Sequence, residues 1–545
     1  MAHAHSPKKH SLLAAVLVIA VAAFCVLVPC FWLGIPSGHD FEYHFNSWIE
    51  VLGQWKQGTV YPHWSALAHF GFGEARYIFY PPASWTLGAA LGAVLPWTLV
   101  SHTYNWIALT LAGVSMFVAV RRWLPYRDAL FAAVFYAMNP YHLVVVYWRS
   151  ANAELLASAY LPLLLVCTLR LDDEDGPRTI APLSLLVAAG WLTNIPTAVM
   201  MMYSLGLLTL WMAWSRRSWR VVAFAGAAVV LGLAVAAIYL LPVWHQRSWV
   251  ALSQVLTPGV RPLENFLFYV THDEDHNRFN RIVSVVALWE IVILACLLWV
   301  ARRKSAKKLW WPLMLWGSMC AVLMIRWTLP LWDHLPELQY VQFPWRWLLC
   351  LNTVVAIALA FALQRWWLRV LVCAVAISSV PFVWHRIQPP WWDKGPDLQE
   401  MADNQHDGVG NDGTDEYVPV AADSYDVDQN APQAAYAGSG SAKIRIERWQ
   451  AERRTIVADA SAPGSLTLRL FNYPLWKVDV NGRDVQTQST EHTGLMIVPI
   501  GAGENRVEIR FVEGWDRKLG ACISLLALVT VFGLWFRSRK SLQRS

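Results

Sequence analysis

The segment Gly38-His39-Asp40-Phe41-Glu42-Tyr43-His44 follows directly on an apolar run, Ser11 to Leu33, that is long enough to cross a bilayer. Ionisable side chains are expensive to hold at a membrane unless they are used. This loop is therefore the leading candidate for a reaction centre. Asp40 can orient a hydroxyl and accept its proton as a general base. Desolvation at the membrane face would raise its proton affinity, whereas a neighbouring Arg or metal would oppose that. His44, four residues on, shares its face if a helix starts here. The reading without chemistry is a helix cap, with Asp40 holding amides at the start of a helix from Phe41 to Leu52. The two readings are compatible. The alternation His39, Asp40, Glu42, His44 also permits a divalent metal ion.

Cations that could meet an anionic group come from four further segments, as Arg76, Arg149, Arg247 and Arg346. Arg suits bidentate phosphate contact, and interfacial anchoring is the alternative for each. Glu154 stands with Arg149 at a hairpin between two spans. A second acidic and imidazole cluster, Thr271-His272-Asp273-Glu274-Asp275-His276, would either extend a metal or acceptor site through His272 and Asp273 or form a solvated loop face. The run Asp172-Asp173-Glu174-Asp175 reads as solvated.

The elements that must position these residues belong to a membrane. The chain has 545 residues, 56% of them hydrophobic, with 33 Trp and 15% charged residues, which excludes an ordinary soluble enzyme. The formal charge of +6 gathers in short loops between apolar stretches. It is a topology signal with no nucleic-acid partner implied. Lys8 and Lys9 place the N-terminus in the cytoplasm, and the first span reads as a retained anchor. The loop carrying Asp40 is then outside.

Ala83 to Val100 reads as an interfacial or re-entrant helix, since a full span there would put Arg121, Arg122 and Arg127 outside. Further spans are expected near Thr103–Val120, Ala129–Trp148, Ala153–Leu169, Thr179–Ile195, Thr197–Trp214, Val221–Leu241, Ile282–Val300, Leu309–Ile325, Trp347–Leu363, Arg369–Trp384 and Leu519–Phe536. That gives about 12 crossings by the length rule. The fold class is thus mainly α, a polytopic integral membrane protein. All 8 cysteines lie inside expected spans without paired spacing and read as small core residues.

The expected organisation is a transmembrane domain over 1–385 with its first outer loop at 34–102, an irregular acidic outer segment at 386–441, an extracytoplasmic sandwich at 442–515, and an anchor with a basic cytoplasmic tail at 516–545. Period-two alternation in Ile444–Glu447, Leu466–Leu470, Trp476–Val480 and Val507–Phe511, with turn residues at Asn481-Gly482 and Gly501-Ala502-Gly503, argues the small antiparallel sandwich. Tyr473, Trp476 and Trp515 would offer faces to sugar rings or pack as core.

The acidic motif of the first outer loop, Tyr80-Pro81-Pro82 closing that loop, and the many spans resemble GT-C membrane glycosyltransferases. Gly38-His39-Asp40, Gln342-Phe343-Pro344-Trp345-Arg346-Trp347, Asp412-Gly413-Thr414-Asp415-Glu416-Tyr417-Val418-Pro419 and the sandwich with its anchor are similar to the bacterial membrane proteins called 6-pyruvoyl-tetrahydropterin synthase-related. No soluble pterin-synthase pattern or zinc-binding His set accompanies that label. The GT-C resemblance implies a carboxylate beside the acceptor and the phosphate of a polyprenyl-phosphate sugar, and Asp40 matches it. It implies an inverting transfer to an extracytoplasmic glycan or lipid acceptor at the bacterial inner membrane. Asp40 would be the base, and Glu42, His44, Arg76, Tyr80, Arg149, Glu154, Gln342 and Arg346 would line the substrates. No cofactor is implied beyond the divalent ion that Asp40, His44, His272 and Asp273 could share. A lipid or polysaccharide-precursor flippase, and a non-catalytic envelope-assembly protein, are the alternatives.

Overall fold

A computed structural model describes residues 9–173, 176–302, 307–387 and 392–542. Among them, eight helices are long and apolar enough to cross a membrane, or up to ten if two bent helix pairs each count as one span. The expectation of about 12 counted apolar length, which does not see bends. Arg220–Val235 turns by 77° into Ala237–Gln246, and Leu309–Leu323 turns by 90° into Arg326–His334. Asn194, in extended conformation, accepts the Thr197 N–H at 3.0 Å and so caps Ile195–Arg216 where the preceding helix, Ile180–Thr193, stops. The apolar stretch from Ala83 forms the helix Pro82–Gly92, 11 residues. At 1.5 Å per residue it covers about half of a bilayer core.

The basic loops gather on one face. Arg122 pairs with Asp173 at 2.6 Å, Arg216 with Asp172 at 3.0 Å, and Arg369 with Asp128 at 2.7 Å. Two of the acids expected to be solvated are thus ion-paired partners of those loops.

The segment that follows Asp40, through Trp64, Phe72 and Phe79, packs against the C-terminal domain. That domain is a two-sheet antiparallel sandwich. One sheet orders the strands Ala434–Gly438, Gly464–Phe471, Leu495–Ile500 and Gln488–Ser489; the other orders Ala442–Trp449, Arg453–Ala460, Gly503–Phe511, Trp476–Val480 and Arg483–Val485. Inward residues of both sheets, among them Ile456, Leu466, Leu468, Val498, Val507 and Ile509, share one core. Asn481 and Gly482, both at positive φ, turn the hairpin Trp476–Val480 to Arg483–Val485. Gly501-Ala502-Gly503 instead carries the chain from one sheet to the other.

The stretch 386–441, expected to be irregular, contains the helix Gly395–His406 and the sandwich strand Ala434–Gly438. Only Leu398, Ala402 and Gln405 of that helix are buried, so it carries little apolar pattern. Tyr473 and Trp476, offered as sugar platforms, are buried against Trp64 at 5.8 and 5.5 Å between ring centroids, whereas Trp515 is exposed. These two rings are core.

Candidate functional site

The loop before Asp40 is pinned from two sides. Ile35–Pro36 pairs antiparallel with Trp392–Asp393. Gly38 then packs against a backbone corner after the π-turn Val145–Arg149, where its N–H donates to Ser150 Oγ at 3.3 Å. A Cβ on Gly38 would lie 2.4 Å from Trp148 O, so a side chain cannot fit without displacing that corner. The corner holds Ser150 at φ 51, and Arg149 O accepts the Asp40 N–H at 2.9 Å.

Asp40 precedes the helix Phe41–Lys56, yet its side chain makes no capping bond. It turns to charge instead. His39 Nδ1 donates to Oδ1 at 2.6 Å, and Arg149 Nη2 lies 3.6 Å from Oδ2. The Asp40 side chain is 27% exposed. Burial pushes its pKa up, but the His39 bond and charge, with Arg149 and His44, outweigh burial and hold the carboxyl well below its usual range. The same contact pushes His39 up.

From Arg149 the charge network continues inward. Arg149 Nη1 donates to Glu154 Oε2 at 2.5 Å, Arg346 Nε to the same oxygen at 3.1 Å, and Tyr141 Oη to Oε1 at 2.6 Å. Arg346 Nη1 donates to Val341 O and Gln342 Oε1, both at 2.8 Å. Trp345 lies 5.0 Å from Arg149, and Phe343 lies 4.6 Å from Arg346, each ring facing a guanidinium. None of these bonds uses Nη2 of either arginine. Asp40, Arg149, Glu154, Gln342 and Arg346, named from three separate segments, thus form one connected cluster.

His44 and Tyr80 wall the site, their rings 5.8 Å apart, with Tyr43 edge-on to Tyr80 at 4.9 Å. Burial, aided by Arg76 and Arg149 against Asp40, drops the His44 pKa to about 4. Glu42 is exposed beside them.

Two expectations do not hold in this geometry. Arg76 is buried and engaged within the protein: it donates to Glu74 at 2.5 Å and Ser47 at 2.9 Å and lies 4.4 Å from the Tyr43 ring. It braces the wall and does not reach toward a ligand. The metal set fails as well, since among the described residues no three His, Cys, Asp or Glu side chains are placed to hold one ion. Asp273 instead caps Glu274–Ala301, accepting the N–H groups of Asp275 at 2.9 Å and His276 at 3.1 Å, and His272 is exposed. Arg247, exposed over Trp244 at 5.5 Å, takes the interfacial reading.

Glu74 was not anticipated. Fully buried, it accepts from His69 Nε2 at 2.9 Å and Arg76, and from the Thr414 N–H at 2.7 Å and its hydroxyl at 3.1 Å. Burial acts against its ionisation, yet Arg76, His69 and Thr414 bring it down to about 2. Beside it, burial lifts Glu416 to about 7, with Glu74 adding to the shift. The quoted motif around Thr414 and Glu416 marked this segment, but nothing local pointed to Glu74 as its partner.

The sequence profile described as a 6-pyruvoyl-tetrahydropterin synthase related domain of membrane proteins matches residues 77–387. Among solved structures, the arabinofuranosyltransferase AftD from mycobacteria is similar at 17% identity and a TM-score of 0.40, covering 71% of this chain and 28% of its own. The oligosaccharyltransferase of Archaeoglobus fulgidus in its apo form is similar at 14% identity and a TM-score of 0.34, covering 75% of this chain and 57% of its own. This chain therefore spans well under a third of AftD and less than two thirds of the archaeal enzyme. No curated protein sequence matches it.

Proposed function

The chain belongs to the 6-pyruvoyl-tetrahydropterin synthase-related family of membrane proteins, and we propose that it is an inverting glycosyltransferase that moves a sugar from a polyprenyl-phosphate donor to a glycan or lipid acceptor outside the bacterial inner membrane. The observation that carries this reading is Asp40, partly exposed, held ionised, and joined through Arg149 and Glu154 to Arg346.

The acceptor hydroxyl donates to Asp40 and attacks the anomeric carbon from the face opposite the leaving group. The new carbon–oxygen bond forms as the bond to the lipid phosphate breaks. The hydroxyl proton passes to Asp40, and the electron pair leaves on the phosphate. A carboxylate held this far below its usual pKa is a weak base, so it acts late, when the attacking oxygen has become strongly acidic. Arg346 meets the departing phosphate through Nη2, and Arg149, whose Nη2 faces Asp40 at 3.6 Å, adds its charge beside it. Glu154 and Gln342 position those arginines, and Tyr80 and His44 bound the acceptor side. The assignment needs no metal, because His39 and Arg149 already supply positive charge next to Asp40.

Purified protein supplied with radiolabelled lipid-linked sugars and acceptor glycans tests the proposal. Turnover in the native chain and its loss in Asp40→Asn are expected. Unchanged turnover in that variant removes Asp40 as base. Vesicles that translocate the lipid-linked sugar without transferring it favour a transporter.

A further inference from the structure

Apart from the charged cluster, the spanning part of the helix Glu274–Ala301 carries a carboxyl group of its own. Glu290 is the single Asp, Glu, Lys or Arg between Ile282 and Ala301. It sits about 12 Å below Ile282 at 1.5 Å per residue, near the middle of a bilayer core. Its neighbours Trp289, Val292 and Ile293 are exposed and apolar and so face lipid, whereas Glu290 is buried against the fully buried Asn352 of the helix Leu348–Ala362. No Asp, Glu, Lys, Arg or His lies on Leu348–Ala362 or from Leu309 to Leu323, the helices packed against it. The other ionisable groups in these three stretches are Cys296, Cys320 and Cys350, and Arg346, above Leu348, is held by Glu154. A carboxylate at this depth would lack both water and a counter-ion, the most costly form for it to take.

The hydrogen bonds around the pair point to its state. Asn352 Nδ2 donates to Glu290 Oε2 at 2.8 Å and to Leu348 O at 3.0 Å. Both amide hydrogens are spent, and Leu348 O, which can only accept, fixes which way the amide points. Glu290 Oε1 and Asn352 Oδ1 have no hydrogen-bond partner among the described residues. While Glu290 is ionised both atoms can only accept, so neither can satisfy the other. A single proton on Oε1 removes the buried charge and donates to Oδ1, and the acid and the amide then form a closed ring of two hydrogen bonds. Two orphaned acceptors are satisfied by one proton, in surroundings where an unmade bond is expensive.

We propose that Glu290 and Asn352 form a proton-binding site inside the membrane, whose bound proton closes the second bond of the pair and latches Glu274–Ala301 to Leu348–Ala362. The latch lies about two turns below Trp345. That ring faces Arg149 at 5.0 Å and Phe279 of the long helix at 5.5 Å. The proton therefore holds together the two helices that meet again beside the charged cluster. The site does not depend on the transferase reading.

Infrared difference spectroscopy of the full chain against Glu290→Gln, in nanodiscs at neutral pH, tests it. The native chain is expected to show the carbonyl band of a hydrogen-bonded carboxylic acid that Glu290→Gln lacks. Asn352→Leu should move that band to the position of a free acid, and Asn352→Ala makes the same comparison should Asn352→Leu fail to fold. The Gln amide can donate to Oδ1 and accept from Nδ2 as the protonated acid does, so Glu290→Gln should keep the native melting temperature. Glu290→Met, of similar length but without polar atoms, leaves Asn352 unpaired and should lower it by several degrees. A carboxylate band from Glu290 in the native chain, a band unmoved by the changes at Asn352, or equal melting temperatures in Glu290→Gln and Glu290→Met would overturn the proposal. So would loss of the acid band when sodium replaces choline in the medium, which would make the occupant a metal cation.

Discussion

Glu154 decides what Arg149 and Arg346 are free to do. It is a single buried carboxylate between two buried guanidiniums, with Tyr141 donating to its other oxygen. Removing one member of such a group leaves charge buried without a partner, a loss of about 3–5 kcal/mol. Glu154→Gln is therefore expected to lower the melting temperature clearly in a fixed detergent, and added polyprenyl phosphate should restore part of the loss, because an anion that binds only the folded state stabilises it by mass action. An unchanged melting temperature would show that Glu154 is not the counter-ion. At this scale the sequence was informative where residue type and position beside a span coincided, as for Asp40, Arg149, Glu154 and Arg346. It misdirected at Arg76, whose partner Glu74 is only two residues away but also takes a bond from His69 and two from Thr414, the latter 340 positions along the chain. No local pattern encodes such a pairing.

Among the elements, the segment around Thr414 is irregular and yet tied down at several points. Asn411 exchanges backbone bonds with Leu67 and Phe70 at 2.9 Å, Ala75 donates to Tyr417 O at 3.1 Å, and Glu74 holds Thr414. Strands were legible because alternation at period two is a strong signal; a strap fixed by one buried carboxylate has no period to read. The helix break at Ala236, inside the expected span Val221–Leu241, was equally invisible to apolar length. The strap predicts a pH dependence. Glu74 falls from the ordinary 4.5 to about 2 in the fold, so its contribution is complete above about 4.5 and is lost as pH drops toward 2. The melting-temperature gap between the native chain and Glu74→Gln should be wide at neutral pH and close through that acid window. A gap that stays constant across the window would mean that ionised Glu74 does not hold the strap.

In the whole molecule, the sandwich and the segment between Lys56 and Pro82 share one core, and Trp64 is where they meet. Its side chain is fully buried, with Tyr473, Trp476 and Phe511 at 5.8, 5.5 and 6.2 Å. His63 adds a polar clasp, its ring 3.0 Å from Glu452. The aromatic residues of the sandwich allowed two readings in sequence because strand spacing says which face a ring lies on, and not what that face meets. What it meets is the loop that also carries Glu74 and Arg76, so the position of the sandwich bears on the wall of the Asp40 site through Tyr43. Trp64→Ala removes a large buried ring, a change worth about 3–5 kcal/mol. The loss falls on the junction, since Leu466, Leu468, Val507 and Ile509 keep the sandwich core. Faster tryptic cleavage beside Lys56 is therefore expected, with the sandwich fragment still resistant and sugar transfer reduced. Cleavage and transfer both at native rates would show that the sandwich rides on the outer loops without steadying them.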